Sequence, residues 1–173
     1  MGRRRDGREA AVQFLYQSDA NQTPFEEALA TFWLLRAGPD GTSPTPEGTR
    51  LFAENLIRGV ATERTAIDAK IQSFAQNYQL NRIATVDRNI LRVGFYEMLH
   101  CPEVPAVVAI NECIEIAKKF GSDDSGRFVN GILDRLRKEL PRSARSTEWR
   151  PRSFAPPGFP QVPEETPPGG GAA

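Results

Sequence analysis

From Glu47 to Cys101 the chain has no proline, and its apolar residues return every three or four positions. Phe52, Leu56, Gly59 and Val60 open one stripe, which Ile67, Ile71, Phe74 and Tyr78 continue. Ile83, Val86, Ile90, Val93 and Glu97 share a second face, with Leu91, Phe95 and Met98 beside it. A period near 3.6 with no proline to break it specifies long helices and leaves no place for a central sheet. Gly59 is the one position in this stretch where a bend or a change of helix is expected.

The flanks repeat the pattern. Ala11, Phe14, Leu15 and Ser18 fall on one helical face, as do Phe25, Ala28, Leu29, Phe32 and Trp33. Thr23-Pro24 reads as N-cap and first helical residue of the latter. Val107, Ile110, Ile114 and Ala117 follow Pro105, and Phe128, Val129, Ile132, Leu133, Leu136 and Leu140 complete the set. Six to seven helices without strands predict an all-α bundle.

Proline and glycine mark the boundaries. Gly38 to Gly48 is a proline- and glycine-rich loop, and eight of the 14 prolines lie in Pro141 to Ala173. That tail has few large apolar residues and no period. Ordering its backbone costs roughly 1–2 kcal/mol per residue, which so little burial does not offset. The chain therefore divides into a helical domain, 1–141, and a Pro/Gly-rich disordered tail, 142–173.

Composition removes several functions. Lys+Arg 22 equals Asp+Glu 22, which excludes a generally basic nucleic-acid coat but not a local patch. The longest apolar runs, such as Phe32 to Leu35, are far too short to span a membrane. The arginines at the N-terminus precede no apolar signal-peptide core, so a cytoplasmic location is expected. Cys101 and Cys113 make neither a disulfide framework nor a zinc quartet, and His100 is the only histidine. No GxxxxGK[ST] loop, GxGxxG turn or CxxC pair occurs. No catalytic residues, metal site or cofactor is expected, and the chain does not read as an enzyme.

Arginine is the informative residue. Only four of the 22 basic residues are lysine, and Arg3, Arg4, Arg5 and Arg8 crowd the first eight positions. Arginine forks onto phosphate and stacks on bases better than lysine does. A solvated terminus and a nucleic-acid contact both account for the cluster. Positive charge at a helix start opposes the helix dipole by a few tenths of a kcal/mol, which argues for a second reason to keep it. Arg127 to Arg152 is a further basic stretch, with eight basic residues against Asp134, Glu139 and Glu148. It opens at Gly121-Ser122-Asp123-Asp124-Ser125-Gly126, where Ser122 or Asp123 reads as an N-cap and Asp124 as a first-turn residue. Free amides at such a start accept phosphate, although the acidic residues compete with one.

These motifs resemble the NusB family. The opening Arg3-Arg4-Arg5…Arg8-Glu9-Ala10…Gln13-Phe14-Leu15-Tyr16 is similar to that family's first helix, and Gly59-Val60-Ala61-Thr62 also matches. Asp87-Arg88-Asn89-Ile90-Leu91-Arg92…Tyr96-Glu97-Met98 resembles its central helix. The longest matches are Val108-Ala109-Ile110-Asn111-Glu112-Cys113-Ile114-Glu115-Ile116-Ala117-Lys118-Lys119-Phe120-Gly121 and Phe128-Val129-Asn130-Gly131-Ile132-Leu133-Asp134. The resemblance covers residues 3–140. It implies two packed three-helix halves and a transcription antitermination factor without a catalytic step. Such a factor binds boxA RNA of nascent ribosomal RNA transcripts together with NusE, a small-subunit ribosomal protein, and joins the RNA polymerase antitermination complex.

Residue by residue, the resemblance assigns Arg3, Arg4, Arg5, Arg8, Tyr16, Phe74, Asp124 and Phe128 to RNA and Asp87 to NusE. Phe74 lacks the hydroxyl that some members carry there. The Pro-rich loop near residue 42 and the tail depart from the family pattern. Monomer and homodimer both remain open. Two alternatives stand beside this reading. One is a protein-interaction scaffold of the same fold without RNA binding. The other is a relic of the N-terminal domain of a ribosomal RNA cytosine methyltransferase, whose cofactor-binding domain the residues after 141 have no room to form.

Overall fold

Proline sets where three helices begin. In the computed structural model, which describes residues 2–141, the helices are α1 (Arg3–Ala20), α2 (Phe25–Arg36), α3 (Glu47–Phe74), α4 (Thr85–His100), α5 (Ala106–Phe120) and α6 (Ser125–Glu139). A single 3-10 turn, Leu80–Arg82, joins α3 to α4. Pro24, Pro46 and Pro105 directly precede α2, α3 and α5. Each has an extended ψ, between 137° and 140°, and its carbonyl accepts the first helical hydrogen bonds. Pro24 is therefore the capping residue and not the first helical one, and α2 starts one position later than Thr23-Pro24 suggests. The tail 142–173, with its expected lack of order, lies outside the described residues.

The architecture is all-helical, as the periodicity predicts. Helix α4 is its centre, packing against α1 and α3 on one side and α5 and α6 on the other. Every residue from Asn89 to Phe95 is buried. Gly94 permits the approach of the second half, because a Cβ there would lie 3.0 Å from both Cys113 Sγ and Leu133 Cδ2. Gly59 does a similar job between α3 and α4. A Cβ on it would sit 2.0 Å from Cζ of Tyr96. No change of helix occurs at Gly59: α3 runs unbroken for 28 residues, and its glycine accommodates a ring. Among the described residues no helix is long and apolar enough to cross a membrane.

Two groups of buried charge lock α4 in place. Arg8 of α1 is 2% exposed and Glu97 of α4 is fully buried. The guanidinium donates from Nε to Oε2 at 2.9 Å and from Nη2 to Oε1 at 2.8 Å. At the other end of α1, Asp19 accepts hydrogen bonds from Asn89 at 3.0 Å and Arg92 at 3.0 Å, and from Arg64. Arg92 also forks onto Asp68 of α3 at 2.8 and 2.9 Å. Burial works against ionisation of Asp19, but the hydrogen bonds from Asn89 and Arg64 and the charge of Arg92 outweigh it. They hold its carboxyl at about 2.

Two outcomes follow from these pairs. Glu97→Gln keeps the volume but takes from buried Arg8 the carboxylate it is hydrogen-bonded to, leaving only Glu112 at 3.9 Å. Breaking a buried pair in this way costs about 3–5 kcal/mol, so the urea midpoint is expected to fall sharply; an unchanged midpoint would show that water reaches Arg8. Asp19 has its folded pKa below the unfolded one. Its stabilisation is complete above the ordinary carboxylate range and is lost as pH falls toward about 2. The stability gap between wild type and Asp19→Asn is therefore expected to be widest near neutral pH and to close as the solution is acidified. A gap independent of pH would mean that the carboxylate charge is not what ties α1 to α4.

Candidate nucleic-acid interface

The arginines of α1 divide by their position on the helix. Arg3 and Arg4 are exposed, and Arg5 is half-buried. Arg5 donates to both carboxylate oxygens of Glu112 on α5 at 2.8 Å, a bidentate pair that holds the Glu112 carboxyl below its usual range. Arg8 is the exception among the four. The sequence pattern groups it with RNA-facing residues, but its guanidinium is closed inside the protein by Glu97 and lies over the Phe52 ring at 5.3 Å. Its Nε and Nη2 are taken up by Glu97, while Nη1 lies 3.9 Å from Glu112 Oε2 at the wall of the cavity beside the helix start. Arg4 lies 5.9 Å from the centroid of the same ring. Arg4, Arg5, Val104, Pro105 and Val108 line an open cavity of about 400 Å³ beside the helix start.

A second cavity, about 520 Å³, opens where the N-termini of α4 and α6 meet the 3-10 turn. Asp87, Asp124, Phe128, Tyr78, Arg82 and Arg127 line it. Asp87 stands in the first turn of α4, where the helix dipole favours its charge. It is 7% exposed, and its Oδ1 has no hydrogen-bond partner among the described residues. Asp124 is exposed at the N-cap of α6, one residue outside the first turn in which the sequence places it, and its side chain makes no capping bond. The local work falls to Ser125, which is 2% exposed and whose Oγ accepts from the Ser122 amide at 2.9 Å. Asp124 is thus free of any capping duty.

The remaining candidates separate. Tyr16 is 48% exposed on α1. Phe74 is buried, packs edge-on against Phe95 at 6.0 Å, and reaches a third cavity only as part of its wall. The structure brings Asp87, Asp124 and Phe128 together and places Phe74 with Phe128. It leaves the arginines and Tyr16 on α1, outside both groups. Tyr78 was not singled out, because it continues the α3 stripe four residues after Phe74. Helix α3 in fact ends at Phe74, and Tyr78 stands 55% exposed with its ring edge-on to Phe128 at 5.9 Å. Arg82 was not singled out either, since nothing in its local sequence distinguishes it from an ordinary surface arginine, and Arg127 stood out only as the start of the basic stretch that runs to Arg152.

Comparison with known proteins places the fold in a family. A model of the NusB family matches residues 5–138. The transcription antitermination protein NusB of Sorangium cellulosum is 43% identical over 142 residues, covering 82% of this chain and 96% of the relative. That of Anaeromyxobacter dehalogenans is 43% identical over 143 residues, covering 83% and 96%. The solved structure of T. maritima NusB superposes with a TM-score of 0.70 at 36% identity, covering 83% of this chain and 96% of its own. A structure of the antitermination factors NusB and NusE in complex with dsRNA has the same fold, with a TM-score of 0.69 at 21% identity and coverage of 81% and 99%. With the family model spanning α1 to α6 and the same helices in the solved relatives, the chain belongs to the NusB family.

Proposed function

We propose that this chain is a transcription antitermination factor that binds boxA-type RNA of nascent ribosomal RNA transcripts together with NusE and joins the RNA polymerase antitermination complex. The observation that carries the reading is the 43% identity to a transcription antitermination protein across 96% of that relative's length, so every helix of the fold is included. The surface chemistry supports it. Arg3 and Arg4 are unburied cations on a helix whose position is fixed by Arg8. In this proposal Arg3, Arg4 and Arg5 meet RNA phosphates and Tyr16 stacks on a base. Phe128 and Asp124 border the RNA path at the start of α6, and Asp87 faces NusE. Arg8 is a positioning residue. The activity needs no chemical step, no metal and no cofactor, and its place is the cytoplasm.

The reading is tested by RNA binding at several salt concentrations. Each phosphate contact to single-stranded RNA contributes about 0.7 log units of affinity per log unit of salt. Replacing Arg3 and Arg4 together by alanine is expected to lower that slope by about 1.4 and to leave the melting temperature unchanged. An unaltered slope would return both arginines to the solvated surface.

Asp124→Asn offers a test of opposite sign. The carboxylate caps nothing, so stability should hold. Removing its repulsion of phosphate should tighten RNA binding several-fold, chiefly at low salt, with NusE binding unchanged. Weaker binding in a folded Asp124→Asn protein would show that the carboxylate accepts a hydrogen bond from the RNA.

A further inference from the structure

Six glycines lie inside the described helices, and three of them have a tight packing reason. A Cβ on Gly7 would meet the Phe52 ring at 2.6 Å, one on Gly59 the Tyr96 ring at 2.0 Å, and one on Gly94 Cys113 and Leu133 at 3.0 Å. Gly131 is different. It sits in the middle of α6, where glycine is about 0.8–1.0 kcal/mol less favourable than alanine, yet nothing lies within 4 Å of the position its Cβ would take. The space in front of it is a cavity of about 190 Å³ between α6 and the connection that follows α3. Phe74 and Ile132 supply apolar wall, Gln76 and Asn77 carry amides, and Tyr78 and Arg127 stand at the exposed side.

The walls are held in advance. The side chain of Gln72 clamps the connection from both directions: its Nε2 donates to the Tyr78 carbonyl at 2.8 Å, and its Oε1 accepts from the Leu80 amide at 2.7 Å. The Tyr78 amide donates to the Ala75 carbonyl at 2.9 Å. Arg135 crosses from α6 to donate to the Phe74 carbonyl at 2.6 Å. The Tyr78 ring, although exposed, is braced edge-on against Phe128. A rigid aromatic wall, a strip of bare helix backbone and two amides describe a slot for one flat, polar-edged ring.

We propose that this cavity takes a single unstacked base of the bound RNA, with Tyr78 as its stacking wall and the amides of Gln76 and Asn77 at its polar edge. The inference rests on the RNA-binding reading above and names a contact that reading lacks. Sequence-specific recognition of RNA works through splayed bases stacked on aromatic rings and hydrogen-bonded at their edges. Gly131 keeps the slot open, and Arg127, exposed at its mouth, is placed to meet an adjoining phosphate.

The decisive variant is Gly131→Leu, which fills the slot from the helix side. Leucine is a better helix former than glycine, and its Cβ meets no atom, so the melting temperature is expected to hold or rise. Binding is measured with a boxA-type single-stranded RNA and with the same RNA carrying one abasic site at each position in turn. Gly131→Leu should weaken binding to the intact RNA about tenfold, equivalent to about 1.4 kcal/mol, with the salt slope unchanged. At one nucleotide the abasic site should weaken wild type by a similar factor and should cost Gly131→Leu nothing more. Tyr78→Ala, which removes an exposed ring, should couple to the same nucleotide. Wild-type affinity in Gly131→Leu, or losses that simply add at every abasic position, overturns the slot while leaving the RNA reading intact. A wild-type chain that binds no RNA, alone or with NusE, overturns the RNA reading and the slot with it.

Discussion

The buried pair of Arg8 and Glu97 decides what the first helix can do. Desolvating two charges costs several kcal/mol for each ion, and mutual attraction rarely does more than offset it. The pair is therefore poor evidence for added stability. It is better understood as a device of register: an arginine buried on α1 reaches the buried carboxylate of Glu97, with Glu112 3.9 Å away, only when α1 lies on α4 in one rotation. That rotation brings Arg5 to Glu112 and Glu9 to Lys119, the latter at 2.7 Å. It leaves Arg3 and Arg4 outside. A run of arginines that looks uniform in the sequence thus has two physical roles, an internal lock and an external positive surface.

Helix α4 makes this arrangement possible because it is buried on nearly every side. A helix with both faces covered must let neighbours approach closely, and Gly94 removes the side chain that would hold α5 and α6 away. The buried charged residues on α4 then have little route to water and must be answered internally. Glu97 is answered by Arg8, and Arg92 by Asp68 and Asp19. Among the described residues Asp87 Oδ1 and Arg88 Nε are left without a partner, and Asp87 lies at the helix end that faces a cavity.

Much of this was legible in the sequence. The stripes of Ile90, Val93 and Leu133 are core residues, and the periodicity that predicts a helical bundle depends only on local spacing. What periodicity lacks is any record of where a helix stops. Phe74 and Tyr78 obey the same spacing, yet one is buried and the other is on a clamped turn, because Gln72 satisfies the backbone beyond the end of α3. Burial of charge was equally invisible. Arg4 and Arg8 differ by one helical turn on the same side of α1, and only the carboxylate of a residue 89 positions away separates their fates. Gly131 belongs to the same class, since an empty space beside a glycine is a property of two elements and not of one.

The charge pattern that results is directional. Net charge is zero, but the start of α1 shows Arg3 and Arg4 to solvent, while the cavity at the starts of α4 and α6 contains Asp87 and Asp124. A phosphate chain gains at the first surface and is repelled at the carboxylates of the second. An unpaired carboxylate oxygen kept from water is costly, and a donor from a protein partner removes that cost, whereas a phosphate adds to it. Arg82 and Arg127 on the same cavity wall moderate the repulsion at its rim without reaching the buried oxygen, which has no partner among the described residues. This asymmetry gives the proposed division a physical basis: RNA follows the arginine surface and the outer edge of α6, and the protein partner closes over Asp87. In that proposal the two ligands meet at Asp124 and Phe128, where a single added or removed charge would change the balance between them.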